Sequence, residues 1–210
     1  RVATAWSVGG AVADSDRAAM ALRFAGALFW YWHGSAGWIG TARYAELRAF
    51  VSGALERGSG EAPILRARAL ASAGSIGLAS GNWKDGHQCL EEALHIFREL
   101  GSPEPEALAE VMRGGTLLMM GQLDDAWTAS NVAVELVRSV PLSMVHGFVL
   151  AWRALTARAR GDVDVARQIF EENVALSRRL GLKVGTAHGE AFLGAHNIDV
   201  GQIDDAVENF

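Results

Sequence analysis

Six histidines, one cysteine and four adjacent acidic pairs are the residues of this 210-residue chain with chemical potential. His188 and His196 stand eight residues apart with Glu190 close by, and His87 and His95 repeat that separation. Imidazoles beside a carboxylate are a zinc donor set. A helical zinc site, however, needs ligands one turn apart and three or four of them together. Two turns separate each of these pairs, so they read as structural histidines. Cys89 needs a base to become a nucleophile, and His87, two positions away on a helix, points to a different face. A buried, inert thiol is the expectation. The pairs Glu91-Glu92, Asp124-Asp125, Glu171-Glu172 and Asp204-Asp205 come back along the chain. A catalytic dyad occurs once, whereas recurrence suits a solvated helix face or helix-start charge. Gly34-x-x-Gly37-x-x-Gly40 follows a helix-like aromatic run and carries no lysine, and no G-x-x-x-x-G-K-[ST] loop occurs anywhere. A phosphate cradle needs that strand–turn–helix context. The expectation is a protein that is not an enzyme, with no catalytic residue, no metal and no cofactor in this segment.

Composition narrows the classes further. The net charge is −5 and no basic face clusters, which argues against a direct nucleic-acid surface. The seven tryptophans lie at varied places without a basic surround, so base stacking is not their role. A lone cysteine excludes an intramolecular disulfide and a cysteine zinc cluster, and it fits a reducing cytoplasm. The most apolar run, residues 24–32, falls well short of the roughly 20 residues of a spanning helix. No basic n-region and cleavage site bracket it. No membrane role is expected. The chain begins at Arg1 and stops at Phe210 inside a repeat, so it is expected to be a piece of a longer protein.

The elements that position these residues recur every 40 residues. Gly81, Gly121, Gly161 and Gly201 mark the interval. Five places later lie Gly86, Ala126, Ala166 and Ala206; seven places earlier lie Gly74, Gly114, Ala154 and Gly194. Arginine stands seventeen places on, at Arg98, Arg138 and Arg178. A period kept in many columns signals a repeat architecture. Each copy reads as two helices, the first over about 64–79, 105–119, 145–159 and 185–199, the second over 83–100, 123–140, 163–180 and from 203 onward. The marking glycine turns the chain with a left-handed C-terminal cap. The small columns let the returning helix pack closely, because helix axes near the lower end of about 8–10 Å admit no large side chain at the crossing. An earlier, degenerate copy spans about 16–33 and 39–56, with Phe29, Trp30, Tyr31 and Trp32 as a core plug. The chain is one array, residues 1–210, with repeats at 16–62, 63–101, 102–141, 142–181 and an incomplete one at 182–210.

The small columns, with Ala93 and Ala133 twelve past the glycine, resemble the tetratricopeptide repeat (TPR). The period here exceeds that family's usual length of about 34. The resemblance implies an all-α fold, a right-handed superhelix of antiparallel helix pairs. The longer repeat, with ALRFAGALFWYWHG at 21–34 and GNWKDGHQCLEEALHIFRELG at 81–101, also resembles the repeat region of large bacterial regulators. These are STAND-type ATPases related to the LuxR-like maltose regulator and the SARP antibiotic regulators. That likeness implies a sensor array working on ATPase and DNA-binding modules of the same polypeptide, neither of which lies in this segment.

In TPR-like arrays the first helices line the concave side. The expected inward positions, at −13, −10, −6 and −3 from each marking glycine, include Arg68, Ser75 and Leu78, then Leu108, Val111 and Leu118. Phe148, Leu155 and Arg158 follow, and His188 begins the last set. This mostly apolar groove with a few cations is expected to hold a protein segment or a small effector. The competing reading is a spacer that self-assembles through its open apolar edge, as a homo-oligomer.

Overall fold

The computed structural model describes the backbone of residues 14–35, 42–58, 60 and 62–208. Among these, every element is helical: α1 (Asp14–Ser35), α2 (Ala42–Arg57), α3 (Pro63–Ala79), α4 (Trp83–Glu99), α5 (Pro103–Met119), α6 (Leu123–Arg138), α7 (Met144–Arg160), α8 (Val163–Arg179), α9 (Lys183–Asp199) and α10 (Ile203–Glu208). The expected boundaries hold to within one or two residues from residue 62 onward. Phe29 is buried, as the aromatic plug requires, whereas the side chains of Trp30, Tyr31 and Trp32 lie outside the described residues, as does the 36–41 part of the glycine-rich turn.

Glycine sets the turns. Gly81, Gly121, Gly161 and Gly201 have φ of 80°, 78°, 84° and 77°, a region an L side chain enters only with strain. The amide following each of the last three bonds a carbonyl five residues back, as in Gln122 N–H to the Leu117 carbonyl at 2.9 Å. This closes the helix end that would otherwise leave its carbonyls bare. Gly101 and Gly181 close α4 and α8 in the same way. The joint after α6 has no glycine and uses Pro141 instead. There Ser143 caps α7, accepting from Val145 N–H at 3.3 Å, while His146 Nδ1 accepts from Ser143 N–H at 3.2 Å.

Within each repeat the two small columns meet. A Cβ on Gly74 would lie 2.9 Å from the Gly86 carbonyl oxygen and 2.4 Å from Leu90 Cγ. One on Gly114 would lie 3.3 Å from the Ala126 carbonyl oxygen. Ala126, Ala154 and Ala166 are fully buried. Successive first helices also pack on one another: α1 on α3, α3 on α5, α5 on α7. Second helices pack mainly on the first helices before and after them. The array therefore closes on the first-helix side and opens on the other. One apolar core runs from Phe29 of α1 through Leu70, Leu94, Phe97 and Met112 to Val149 of α7. A second, around Ile169, Phe170 and Leu193, continues it.

Ion pairs stitch the joints. Arg98 at the end of α4 donates to Glu106 at 3.1 Å and to Glu110 at 3.2 Å, both on α5. Glu110 is 1% exposed and also accepts from Arg113, whose second nitrogen lies 3.3 Å from Glu91. Burial works against the charged Arg113, but its bond to Glu110 and the charges of Glu110, Glu91 and Asp125 prevail and hold its pKa above the ordinary value. Forty residues on from Glu110, twice over, stands Glu190, which Arg178 reaches at 2.6 Å.

His196 of α9 is buried, 5.8 Å from the Phe170 ring centroid, with neither ring nitrogen bonded to a side chain. Burial, then the charges of Arg167 and Arg158, push its pKa down. The unfolded chain takes up that proton near pH 6.5, the folded chain only at lower pH, so the stability from this site is whole above about pH 6.5 and drains away as pH falls below it. Tm is expected to drop between about pH 7.5 and pH 5.5, and His196→Leu to remove part of that drop; a variant whose Tm follows the parent's pH curve contradicts this. The helix crossing gives a second expectation. A Cβ on Gly77 would lie 2.6 Å from Gly86 Cα and 2.9 Å from its nitrogen, backbone atoms that cannot swing aside. Overpacking of about 1–3 kcal/mol outweighs a helix-propensity gain of up to about 1 kcal/mol, so Gly77→Ala is expected to lower Tm by about 2–8 °C in a thermal melt. An unchanged or raised Tm contradicts the close crossing.

Candidate functional site

The first helices build a defined cleft. It encloses about 490 Å³ between α1, α3, α5 and α7, with Phe97 of α4 behind. Leu65, Leu108 and Met144 give it an apolar accessible surface, over a buried layer of Leu22, Phe29, Ala71 and Val145. Phe29 and Phe148 meet beside it with ring centroids 6.4 Å apart. Arg23 and Arg68 stand on its rim, both exposed, and among the described residues neither has an ion-pair partner. Glu104, the acid of the lining, is engaged by the Ser143 hydroxyl, which donates at 2.7 Å. The site thus presents an apolar floor with two free guanidinium groups, which suits a ligand with an apolar body and an anionic group.

The expected groove residues divide among four situations. Arg68 and Leu108 line the cleft, and Phe148 borders it through Phe29. Ser75, Leu78 and Val111 are 1%, 8% and 0% exposed. They face the neighbouring helices rather than an open groove. A Cβ on Gly115 would meet Leu78 Cδ2 at 3.0 Å and the Trp152 ring at 3.1 Å, so this region is where α3, α5 and α7 touch. Leu118, Leu155 and Arg158 are half-buried farther along, Leu118 and Leu155 against core clusters and Arg158 bound to Asp199 of α9. His188 is exposed on α9.

Five lining positions of the regular repeats lay outside the expected set. Leu65, Pro105 and Val145 occupy the −16 column, and Glu104 and Met144 the −17 column. They sit one turn before the −13 column on the same helix face. Extending that stripe by a turn would have found them. Arg23, Gly26 and Ala27 come from the degenerate first copy, where no repeat register exists to project from.

The residues with chemical potential are dispersed. Among the described residues no group of three His, Cys, Asp or Glu could hold a metal ion. His87 pairs with the Thr116 hydroxyl at 3.3 Å and lies 3.8 Å from Glu91, and His95 lies 3.5 Å from Glu99. Burial, aided by Glu92 and Asp85, pushes the Cys89 thiol up from its ordinary pKa, away from the thiolate form a nucleophile needs. Among the described residues no helix is long and apolar enough to cross a membrane.

No protein-family model matches the chain, and no curated protein matches it in sequence. Solved structures match it in shape. A Rap protein complexed with Competence and Sporulation Factor superposes with a TM-score of 0.80 at 15% identity over 93% of this chain and 52% of that one, so the present chain spans about half its length. The apo form of RapI matches with a TM-score of 0.68 at 10% identity, covering 96% and 82% of the two chains. A putative kinesin light chain from Podosopora anserina, with nearly identical TPR-like repeats, matches at 0.64 and 16% identity over 90% of each chain. At such identities the likeness is one of fold, and it is consistent throughout: the chain is a TPR-like α-solenoid, a right-handed superhelix of antiparallel helix pairs.

Proposed function

We propose that the chain is a non-catalytic binding module whose inner cleft takes a protein segment or small effector carrying an apolar group beside an acidic one. The observation that supports this most is the pairing of an apolar floor with Arg23 and Arg68, two guanidinium groups lacking carboxylate partners among the described residues. A cleft that already satisfied its charges would have nothing to offer an anionic ligand. The similar fold of a Rap protein solved with Competence and Sporulation Factor is consistent with a binding role. In the finer reading, the array is the sensor region of a multidomain bacterial ATP-dependent transcriptional regulator in the cytoplasm. Occupancy of the cleft stiffens the first-helix ladder and passes the state to ATPase and DNA-binding modules elsewhere in the polypeptide. What supports that finer reading is the sequence resemblance of residues 21–34 and 81–101 to such regulators. A free-standing scaffold is the second reading. Val184, Ile198, Ile203 and Val207 are 57%, 49%, 56% and 71% exposed around α9 and α10, an apolar edge suited to stacking on another repeat.

Selection of displayed random peptides on the immobilised chain tests the binding role. Enriched sequences are expected to place an aliphatic or aromatic residue near Asp or Glu. Arg68→Glu and Ala71→Phe, one reversing a rim charge and one filling the floor, are each expected to weaken binding by about tenfold or more, with helicity by circular dichroism unchanged. No enrichment, or enrichment indifferent to both substitutions, contradicts the assignment.

A further inference from the structure

The joints between repeats differ in one respect that bears on binding. At the first joint Arg98 and Arg113 are held by three carboxylates, Glu91, Glu106 and Glu110. Forty residues on, both arginines return, as Arg138 and Arg153. All three carboxylates are gone: Asn131, His146 and Leu150 occupy their places. The cationic half of the network is kept and its anionic half is absent.

The structure opens a cleft of about 430 Å³ at this joint. It lies on the outer side, between the second helices α6 and α8, with α7 as its floor. Arg138, Arg153 and Arg179 line it, each on a different helix, together with His146. Arg153 Nε is buried and makes no hydrogen bond. Its guanidinium lies 5.0 Å from the centroid of the Trp127 ring, which orients it without neutralising it. Among the described residues neither Arg153 nor Arg179 has a carboxylate within ion-pair distance. Arg138 meets only Glu135 of its own helix, and both side chains are about two-thirds exposed, at 69% and 68%. Such a surface pair holds an arginine weakly. Glu172 at the rim is the acid of the lining; it is exposed and, among the described residues, in no ion pair.

We propose that this outer cleft is a second binding site, for an acidic peptide segment whose carboxylate takes the position that Glu110 holds at the first joint. The first joint displays the recognition itself. Glu106 and Glu110, four apart on one helix face, are what this arginine pair accepts. Val134, Leu142 and Leu176 supply apolar walls for the flanking side chains. The cleft is far larger than a single small anion needs, given that a water's share of liquid is about 30 Å³. A peptide rather than an inorganic oxyanion fits that size and those walls. The site stands apart from the inner cleft: the two share no lining residue, and Arg68 and Leu108 belong to the inner one alone.

Fluorescence anisotropy on the whole chain tests this with a fluorescein-labelled, leucine- and alanine-rich peptide bearing two glutamates four residues apart. Saturable binding is expected, lost when both glutamates are replaced by glutamine. Arg153→Gln is expected to weaken it by about tenfold or more, in keeping with the loss of one charge-assisted contact. Leu150→Glu restores the internal carboxylate and is expected to abolish binding while raising Tm. Arg68→Glu is expected to leave this binding unchanged, which separates it from the inner cleft. If Leu150→Glu loses helicity, Arg153→Gln and the glutamine peptide decide. Absence of saturation at millimolar peptide, indifference to Arg153→Gln, or displacement by inorganic phosphate at matched concentration overturns the proposal.

Discussion

The close crossing of the two helices in each repeat is the constraint on which the remainder depends. Gly74 faces Gly86, Gly114 faces Ala126, and Ala154 packs in the same layer as Ala166. No large side chain fits between such backbones. Dispersion and apolar burial are then gained along the full length of each pair, from Leu90 and Leu94 to Phe97. The left-handed glycine that precedes each second helix delivers the chain to this crossing in two or three residues. Neither device works without the other. A tight turn into a wide crossing would leave voids, and a tight crossing after a long loop would lose its register.

The asymmetry between the two helix layers creates the binding surfaces. First helices touch one another through Leu78, Gly115 and Trp152, so the inner face is a wall there, with an opening near the starts of α3, α5 and α7. Second helices stand apart from one another, each packed on the first helices before and after it, and at the joint after α4 ion pairs add to that packing. Where the charges balance, as at Glu110, the joint is closed. Where the carboxylates are missing, as at Leu150, the joint is a cleft lined by arginine. Thus the same repeat, varied at a few positions, makes structure at one joint and a surface with unspent charge at another.

The helix boundaries were legible because glycine at a C-terminal cap is a local signal, set by the backbone of a few residues. The column of small residues was legible for a similar reason: only a close crossing keeps such a pattern over four copies. The inner face was half legible. Arg68, Leu108 and the neighbourhood of Phe148 followed from helical spacing, but Ser75, Leu78 and Val111 share that spacing and are buried. Spacing gives direction around one helix; it does not say how near the next helix comes. The stripe also began a turn earlier than expected, at Leu65, Pro105 and Val145. The outer cleft left a trace in the sequence, since Arg138 and Arg153 repeat Arg98 and Arg113. Its meaning lies in the ion pairs of the first joint, whose partners Glu91, Glu106 and Glu110 the later copy lacks.

Hydrogen–deuterium exchange of the chain, with and without a peptide selected on it, measures most directly whether the first-helix ladder is the binding wall. The account predicts slowed exchange at α1 and at the starts of α3, α5 and α7, with the outer faces of α4 and α6 unchanged. Slowing confined to the second helices, or spread evenly over the whole array, would contradict an inner cleft formed by the first helices.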